Sequence, residues 1–523
     1  MIIFLLLVYT TIMSIPRYFD IDSSDYVPNE VLREFEWYPY NEDSNNVEGS
    51  TRYSIQTKNK SAMMRLSKAR LEVKCQLVTD ANPGAAPDST KKIAPINSAW
   101  HLFSNVRALL NNQEIYNSPY TGKEHLIRHL VHYDKEYAKT VGSQVVFYPD
   151  TASDGHEYTA GADPIVAGHR SLPGVLGAVG TAGELSGMHN RFNLGKSATN
   201  TITTAEDNPN YNSGFKERIR QFIESEGNDG ANPPVAADVI SPVTLWLPLS
   251  EVIPFFADYD RLMTGVTFQL ILNKNTTHES YLFGDGTDGA GATERYRIDI
   301  TGLKLWVPEI EPSREIEPQI IEKFLSSSRM ITYRDVVGYK SPTYTGGGRA
   351  GTQSWNVATT VSKPLKAYVA FQYVNRETQY VLNGGEFDLL YNTIGLRVNG
   401  QYLPNTQIDI EADEPTKKFN FARVLQEIHR AGGKDIDSDD SAIITHQNWR
   451  DIYPIVVFDL EDRGEGLFKQ NLAHIVLEWT KRNTKANGGA GANLGDYCVY
   501  MILETERGLK LDYTQSRLNV LFK

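Results

Sequence analysis

The sequence predicts an all-β protein, built as two tandem antiparallel eight-stranded jelly-roll sandwiches with short helices and long loop insertions. Three observations lead to this prediction. Many short segments alternate apolar and polar residues, helical periodicity is best developed in two stretches, and the same order of segments occurs twice along the chain. A pair of immunoglobulin-like domains is the structural alternative, but such domains have shorter connections and usually no helix after the early hairpin.

The clearest repeated feature is a β-hairpin. Residues 105–115 contain two apolar segments separated by Asn111-Asn112, and residues 393–403 have the same plan around Asn399-Gly400, 288 residues further along the chain. Asn-Gly between two strands is the strongest short hairpin signal. Because the turns and the flanking apolar positions coincide at this offset, the pattern indicates a duplicated unit.

An alternating strand precedes each hairpin, and a helix follows it. In residues 71–77 and 365–373 every second residue is apolar, as expected for strands with one face in a core. Residues 121–137 and 416–431 carry apolar side chains at helical spacing, and Gly432 is placed to end the second helix. We therefore predict one amphipathic helix packed on each sandwich.

The later strands also follow the same order in both halves, in a looser form. The predicted strands are 243–248, 266–272 and 296–307 in the first half, and 455–460, 475–479 and 497–513 in the second. A Gly- and Asn-rich loop precedes the last strand segment of each half. The two halves are thus predicted to share one strand plan.

This repeat defines the domain organisation. The predicted parts are an N-terminal arm at 1–50, a first jelly roll at 51–310, a connector at 311–330 and a second jelly roll at 331–523. Three prolines and several acidic residues between 308 and 318 favour an extended connector. The first sandwich also carries an insertion at about 151–240, rich in Gly, Asn, Thr and Pro, which is typical of surface loops that contact partners.

The charge balance and the cysteines limit the classes of function. The chain has 52 Lys and Arg against 64 Asp and Glu, a net charge of −12, so we do not expect specific nucleic-acid binding. Cys75 and Cys498 form neither a disulfide framework nor a metal-ligand spacing, which fits a reducing compartment. The apolar segment 2–8 lacks the basic residues of a secretory signal, and we expect translation to begin at Met13.

The first predicted helix carries three histidines, His125, His129 and His132, which follow Glu124. This spacing could hold zinc, but zinc peptidases place the Glu after the first His, and no further Cys or carboxylate motif completes the site. The eleven histidines include no His-x-His pair of the kind that cupin enzymes use. We interpret the three residues as a solvated helix face opposite Leu126 and predict no metal site.

Three other motifs match known sites only in part. Residues 284–289 have the letters of a dinucleotide-binding glycine motif, but they lead into another strand. Gly195-Lys196-Ser197 resembles the end of a phosphate-binding loop whose first glycine is missing. Asp435, Asp437 and Asp439 resemble the start of a calcium loop that lacks its Gly and its final Glu. We predict no catalytic residue and no cofactor.

The tandem plan, together with Leu245-Trp246-Leu247-Pro248 and Ile253-Pro254-Phe255-Phe256, resembles the double jelly-roll major capsid proteins of large and medium double-stranded DNA viruses. The junction at 306–313 and the hairpin at 396–400 look most like the capsid proteins of Polinton/Maverick elements and adintoviruses, with virophages next. The likeness covers about residues 50–523.

The resemblance implies a structural major capsid protein, without enzymatic activity, that forms homotrimers. Three subunits with two sandwiches each would give a pseudo-hexameric, hexon-like capsomer that tiles an icosahedral shell in the virion. Its expected partners are neighbouring capsomers, penton proteins and minor capsid proteins. The arm would grip one of these through its aromatic side chains, which are Tyr26, Phe35, Trp37, Tyr38 and Tyr40.

Two other functions stay open at this point. A secreted two-domain carbohydrate-binding β-sandwich protein would carry glycans on Asn59 or Asn275, each of which begins an Asn-x-Ser/Thr sequence. A two-domain β-sandwich enzyme would be expected to place its reactive cleft around His125, His129 and His132. Both alternatives depend on where the fold places these side chains.

Overall fold

A computed structural model of the chain describes most of both predicted halves. The described residues are 32–43, 49–56, 62–79, 93–150, 213–222, 242–284, 296–314, 317–325, 329–345, 351–374, 387–410, 421–434, 442–445, 449, 452–461, 473–481, 496–514 and 517–522. The predicted insertion at 151–240 therefore lies almost wholly outside the described residues, apart from 213–222.

The first half forms an antiparallel sandwich from strands β1 to β11. These strands are β1 (Leu32–Tyr40), β2 (Ser50–Ile55), β3 (Met63–Met64), β4 (Arg70–Thr79), β5 (Ile93–Pro95), β6 (Phe103–Leu110), β7 (Gln113–Ser118), β8 (Val243–Pro248), β9 (Phe268–Lys274), β10 (Leu282–Gly284) and β11 (Tyr296–Pro312). One sheet has the order β1–β11–β4–β8, with β3 beside β11, and the other has the order β2–β9–β6–β7. The short strands β5 and β10 pair with each other.

The second half forms another antiparallel sandwich from strands β12 to β20. These strands are β12 (Arg329–Lys340), β13 (Thr352–Val361), β14 (Pro364–Tyr373), β15 (Tyr391–Val398), β16 (Gln401–Asp409), β17 (Val456–Asp459), β18 (Ala473–Lys481), β19 (Tyr497–Thr514) and β20 (Arg517–Phe522). One sheet has the order β12–β19–β14–β17, with β20 beside β19, and the other has the order β13–β18–β15–β16.

The two sandwiches have the same topology. Apart from the short additions β3, β5, β10 and β20, each described half contains eight strands, and the spatial order 1–8–3–6 in one sheet and 2–7–4–5 in the other is the same for both. This is the arrangement of a jelly roll. The prediction of two tandem eight-stranded jelly rolls is confirmed.

The duplication extends to the hydrogen bonds of the hairpins. Asn111 and Asn112 have φ of 48° and 65°, and Asn399 and Gly400 have φ of 51° and 85°, as a tight two-residue turn requires. Asn111 Oδ1 accepts a hydrogen bond of 2.7 Å from the Thr267 N–H. Asn399 Oδ1 accepts one of 2.8 Å from the His474 N–H. Each hairpin asparagine therefore ties its turn to the equivalent neighbouring strand.

Helices lie outside the sheets. They are α1 (Thr121–His132), α2 (Lys135–Lys139), α3 (Ser213–Phe222), α4 (Pro254–Asp258), α5 (Glu317–Leu325) and α6 (Ala422–Ala431). The helix predicted over 121–137 is interrupted, because Asp134 accepts a hydrogen bond of 2.7 Å from the Tyr137 N–H and caps the start of α2. Helix α6 ends at Gly432 as predicted, and it begins later than predicted, at Ala422. No helix among the described residues is long and apolar enough to cross a membrane.

The structure differs from two of the predicted parts. Residues 32–40, placed in the N-terminal arm, form β1 and pair with β11 in a register that sets Phe35 opposite Ile310 and Tyr38 opposite Val307. Aromatic side chains occupy both faces of β1, so its sequence lacks the alternation that marks a half-buried strand. In the predicted connector at 311–330, β11 continues to Pro312, and α5 follows where an extended chain was expected.

Buried apolar side chains from both halves form one continuous hydrophobic core. Each sandwich contributes inward-facing residues, such as Leu71 and Leu270 in the first and Val369 and Leu477 in the second. Apolar residues of α1 and α6, among them Leu130 and Val424, belong to the same core. Burial of this surface is the main favourable term in folding, and it joins the two halves.

Candidate functional site

Helix α1 of the first half lies between the two sandwiches. Ten of its twelve residues are buried, including the polar side chains of Lys123, Glu124, His125 and His129. A helix that is buried nearly all round must supply partners for these polar groups, because an unpaired polar group away from water costs free energy. The partners come from both sandwiches.

Three polar contacts join α1 to the second sandwich. Lys123 Nζ donates a hydrogen bond of 3.0 Å to Gln372 Oε1 on β14. Arg128 Nε donates one of 3.0 Å to Glu504 Oε1 on β19. The His132 Nε2 atom lies 2.8 Å from the Tyr368 hydroxyl on β14. These contacts lie at three successive turns of the helix, so they anchor it to β14 and β19.

Arg128 and Glu504 form a largely buried charge pair at this interface. Its side chains are 18% and 2% exposed. Burial by itself would raise the pKa of Glu504, but the positive charges nearby, first that of Arg128, outweigh it and lower that pKa. Glu504 is therefore a buried carboxylate that the Arg128 guanidinium keeps ionised.

A second contact between the halves starts from α4. The Arg334 N–H on β12 donates a hydrogen bond of 2.8 Å to Asp258 Oδ2, and Arg334 Nη2 donates one of 2.6 Å to Asp258 Oδ1. Beside them, the rings of Phe255 and Tyr333 meet edge to face at 5.1 Å. The arrangement combines a bidentate ion pair with an aromatic contact.

A third contact between the halves is a hydrogen-bond network around Arg218. This residue belongs to α3, which is the described part of the long insertion. Arg218 Nη2 donates a hydrogen bond of 2.8 Å to Asp150 Oδ1, and both side chains are fully buried. Arg218 Nη1 donates to Asn97 Oδ1 at 2.9 Å. The Asp150 N–H and Asn97 Nδ2 both donate to the hydroxyl of Tyr453 from the second half. This network links the insertion to both sandwiches.

Gly338 marks a close approach of the two halves. It lies inside β12, where a glycine weakens the strand unless another group needs the space. A Cβ atom at this position would overlap the Glu124 carboxylate of α1. Burial raises the pKa of Glu124 to about 7, and hydrogen bonds from the Ser118 and Tyr116 hydroxyls counteract part of this increase.

Replacing Gly338 with alanine is expected to destabilise the folded chain by about 1–3 kcal/mol, because the new methyl group overpacks the interface. Gly302 of β11 is the matched control, since the nearest atoms to a Cβ there belong to Lys74 and lie 3.7 Å away. Chemical unfolding measures both variants. Equal losses for Gly338→Ala and Gly302→Ala would contradict the close approach.

The structure places the three histidines of α1 differently from the sequence prediction. A solvated face was expected, but His125 is 1% exposed and His129 is 3% exposed. The prediction is wrong because helical spacing shows which residues share a face, and it does not show that other elements cover that face. His132 points to the second sandwich instead and does not join the other two.

His125 and His129 meet a carboxylate that belongs to no motif of the sequence. Glu251 ends the 3-10 turn Leu249–Glu251, which follows β8, and its Oε2 atom lies 3.1 Å from His125 Nε2 and 3.9 Å from His129 Nε2. The Tyr137 hydroxyl of α2 donates a hydrogen bond of 2.6 Å to Glu251 Oε1. We call His125, His129 and Glu251 the buried triad. One ligand atom from each of these three residues lies within 4.8 Å of the other two.

The other partial motifs lie mostly outside the described residues. This holds for Gly195-Lys196-Ser197, for Asp435, Asp437 and Asp439, and for residues 285–289 after Gly284. Cys75 and Cys498 are described, and each is a buried thiol in a different sandwich. Burial raises the pKa of the Cys75 thiol to about 12, which makes it unreactive.

The glycan sites expected for a secreted binding protein gain no support. Asn59 lies outside the described residues. Asn275 is half-buried, and its side-chain nitrogen donates hydrogen bonds of 3.0 Å to the His101 carbonyl and 2.9 Å to Ser280 Oγ. N-glycosylation attaches the sugar to the side-chain nitrogen of asparagine, so it would disturb both hydrogen bonds of Asn275.

Comparison with known proteins identifies the fold. No protein-family model matches the chain, and no curated protein sequence matches it either. A chain of the Sputnik virophage, solved by cryo-electron microscopy, matches with a TM-score of 0.54 and 11% identity over 97% of this chain and 92% of that chain. The mavirus major capsid protein matches with a TM-score of 0.47 and 12% identity over 98% and 95%. The virophage match shows that the fold is shared over nearly the full length of both chains.

Proposed function

We propose that this protein is a structural major capsid protein of a double-stranded DNA virus, located in the virion. Its homotrimers would form pseudo-hexameric, hexon-like capsomers that tile an icosahedral shell. The observation that carries the proposal is the identical strand order of the two sandwiches. Three copies of such a chain hold six similar sandwiches, so a trimer gains a nearly hexagonal outline from threefold symmetry.

The buried contacts between the halves support this role. A tile must hold its two sandwiches at a constant angle, because six similar corners arise only if every subunit has the same shape. The pairs Arg128–Glu504 and Asp258–Arg334 and the network around Arg218 all cross between the halves. Such a junction is suited to a rigid building block.

The exposed face of β1 supports contact with another subunit. Phe35 is 50% exposed and Trp37 is 38% exposed, and both lie on the same face of an edge strand. Aromatic side chains are enriched in protein interfaces, and obligate interfaces bury about 2,000 Å² or more. Neighbouring capsomers, penton proteins and minor capsid proteins are the proposed partners, and the net charge of −12 agrees with a shell that does not bind nucleic acid specifically.

The sequence resemblance supports a position near the capsid proteins of Polinton/Maverick elements and adintoviruses, with virophages next. The proposed role is mechanical, and it assigns no catalytic residue. Within the described residues, the polar groups at the interface of the two halves are engaged mainly with one another, as the pairs on α1 illustrate.

The native mass of the full chain tests the proposal. We expect a stable species of three 58.7-kDa chains, seen by negative-stain microscopy as particles with a hexagonal outline. The double variant Phe35→Ser with Trp37→Ser should fold with an unchanged melting temperature and assemble less into larger particles. A chain that stays monomeric at all concentrations, alone and with its minor shell proteins, would refute the proposed function.

A further inference from the structure

The buried triad has the composition of a metal site. His125 and His129 are four residues apart on α1, so their rings lie on the same face of the helix, and they stack with their centres 3.6 Å apart. Glu251 comes from a turn that is distant in sequence. Two imidazoles and one carboxylate form a ligand set that proteins use for zinc, with water at the fourth position.

The electrostatics of the triad favour a cation. The Glu251 side chain is 8% exposed, and polar atoms of His125, His129 and Tyr137 lie within 4 Å of its carboxylate. Burial lowers the pKa of His125, although Glu251 counteracts part of this effect, and burial together with the neighbouring His125 lowers the pKa of His129 well below its usual range. In its neutral form, each imidazole offers one lone pair to a cation.

The environment of His129 gives a second, independent indication of a bound cation. Its side chain is 4% exposed, and neither of its ring nitrogens has a hydrogen-bond partner among the described groups. Buried polar groups in native proteins nearly always have a partner, so an orphaned imidazole requires an explanation. Its Nε2 atom faces the Glu251 carboxylate at 3.9 Å, too far for a hydrogen bond.

We propose that His125 Nε2, His129 Nε2 and the Glu251 carboxylate bind one divalent transition-metal ion of the Zn²⁺ type. Metal–nitrogen bonds of about 2.0–2.1 Å place tetrahedral ligand atoms about 3.3 Å apart. The two observed separations from Glu251 Oε2, 3.1 Å and 3.9 Å, lie on either side of this value. Ca²⁺ and Mg²⁺ prefer sets made only of oxygen atoms.

Tyr137 completes the site as a positioning residue. Its hydroxyl donates to Glu251 Oε1, which leaves Oε2 directed at the two imidazoles. Groups of this kind orient the ligands of metal sites, and their loss typically weakens metal binding about 10- to 100-fold. The ion would connect α1 to the turn after β8, and Tyr137 would tie α2 to the same carboxylate.

Metal titration of the untagged full chain tests this site. After removal of metal with a chelator, isothermal titration with Zn²⁺ should show one ion per chain. Co²⁺ should give the intense visible absorption of a tetrahedral complex without a thiolate band, because Cys75 and Cys498 are not ligands. Absence of both signals from the native chain overturns the proposal, whatever the variants do.

Variants locate the site. His129→Gln and Glu251→Gln should weaken Zn²⁺ binding by more than about 100-fold, and Tyr137→Phe by about 10- to 100-fold. His474→Gln is the control, because this exposed histidine lies on β18 and its ring contacts Asn356 of the second sandwich. Circular dichroism checks that each variant is folded. Binding that survives in His129→Gln, or that is lost equally in His474→Gln, would show that the ion lies elsewhere.

Discussion

Replacing Arg218 with alanine is expected to destabilise the folded chain by about 3–5 kcal/mol, because it removes the guanidinium that is paired with the fully buried Asp150 carboxylate. The same change removes the donor to Asn97 Oδ1 and to the Tyr148 carbonyl. Asn97 and the Asp150 N–H also bond Tyr453, so we expect the loss to spread to the contact with the second half.

A double-mutant cycle distinguishes the charge pair from simple loss of packing. Arg218→Met with Asp150→Leu removes both charges while it keeps apolar volume, so it should be less destabilised than the sum of the two single variants. Urea unfolding followed by circular dichroism measures all four proteins. Additive losses would mean that Arg218 and Asp150 act independently.

Replacing Arg128 with alanine is expected to cost a similar amount, about 3–5 kcal/mol, because Glu504 is 2% exposed and loses the charge that stabilises it. Lys139 provides a matched control: it pairs with Glu136 on α2, and those side chains are 69% and 68% exposed. An exposed pair of this kind contributes about 0–1 kcal/mol. If Arg128→Ala and Lys139→Ala have equal effects, the interface between the halves does not depend on this pair.

The pair of Arg128 and Glu504 should also make the stability of the folded chain depend on pH. The pKa of Glu504 is lower in the folded chain than its ordinary value of 4.5, so the folded state binds this proton less readily than the unfolded state does. The contribution of Glu504 to stability is therefore present above about pH 4.5 and is lost as the pH falls through the lowered pKa. Glu504→Gln should show a smaller loss of stability below pH 4.5, which acid titration of the unfolding midpoint measures.

Disruption of this pair should also affect assembly if the proposed function is correct. A loosened junction changes the angle between the sandwiches, and six equivalent corners then no longer form. We expect Arg128→Ala to give fewer hexagonal particles in conditions where the chain remains folded.

Local sequence signals predicted the strand plan well because hairpins and alternating strands are encoded by near neighbours. Asn111-Asn112 and Asn399-Gly400 can adopt positive φ, and the apolar positions around them select one face. Strand β1 was missed for a related reason. Its aromatic side chains lie on both faces, Phe35 and Trp37 on one and Tyr38 and Tyr40 on the other, so no continuous alternation of apolar and polar residues marks the strand.

The buried triad could not be predicted in the same way. His125 and His129 showed their shared face, but Glu251 lies 126 residues from His125 in sequence and belongs to no motif with it. The apolar stripe of α1 also gave no sign that the second sandwich covers the opposite face, since covering surfaces come from β14 and β19, more than 200 residues away.

The amino-acid sequence by itself determined the two-fold repeat, the turns and the inward-facing residues of most strands, because these depend on backbone preferences and on spacing within a few residues. Only the tertiary structure decided how the two sandwiches meet, which charges are buried between them, and which carboxylate faces the histidines of α1. Those features depend on the desolvation of polar groups and on contacts between segments that are distant in sequence. Both arise only when the chain folds.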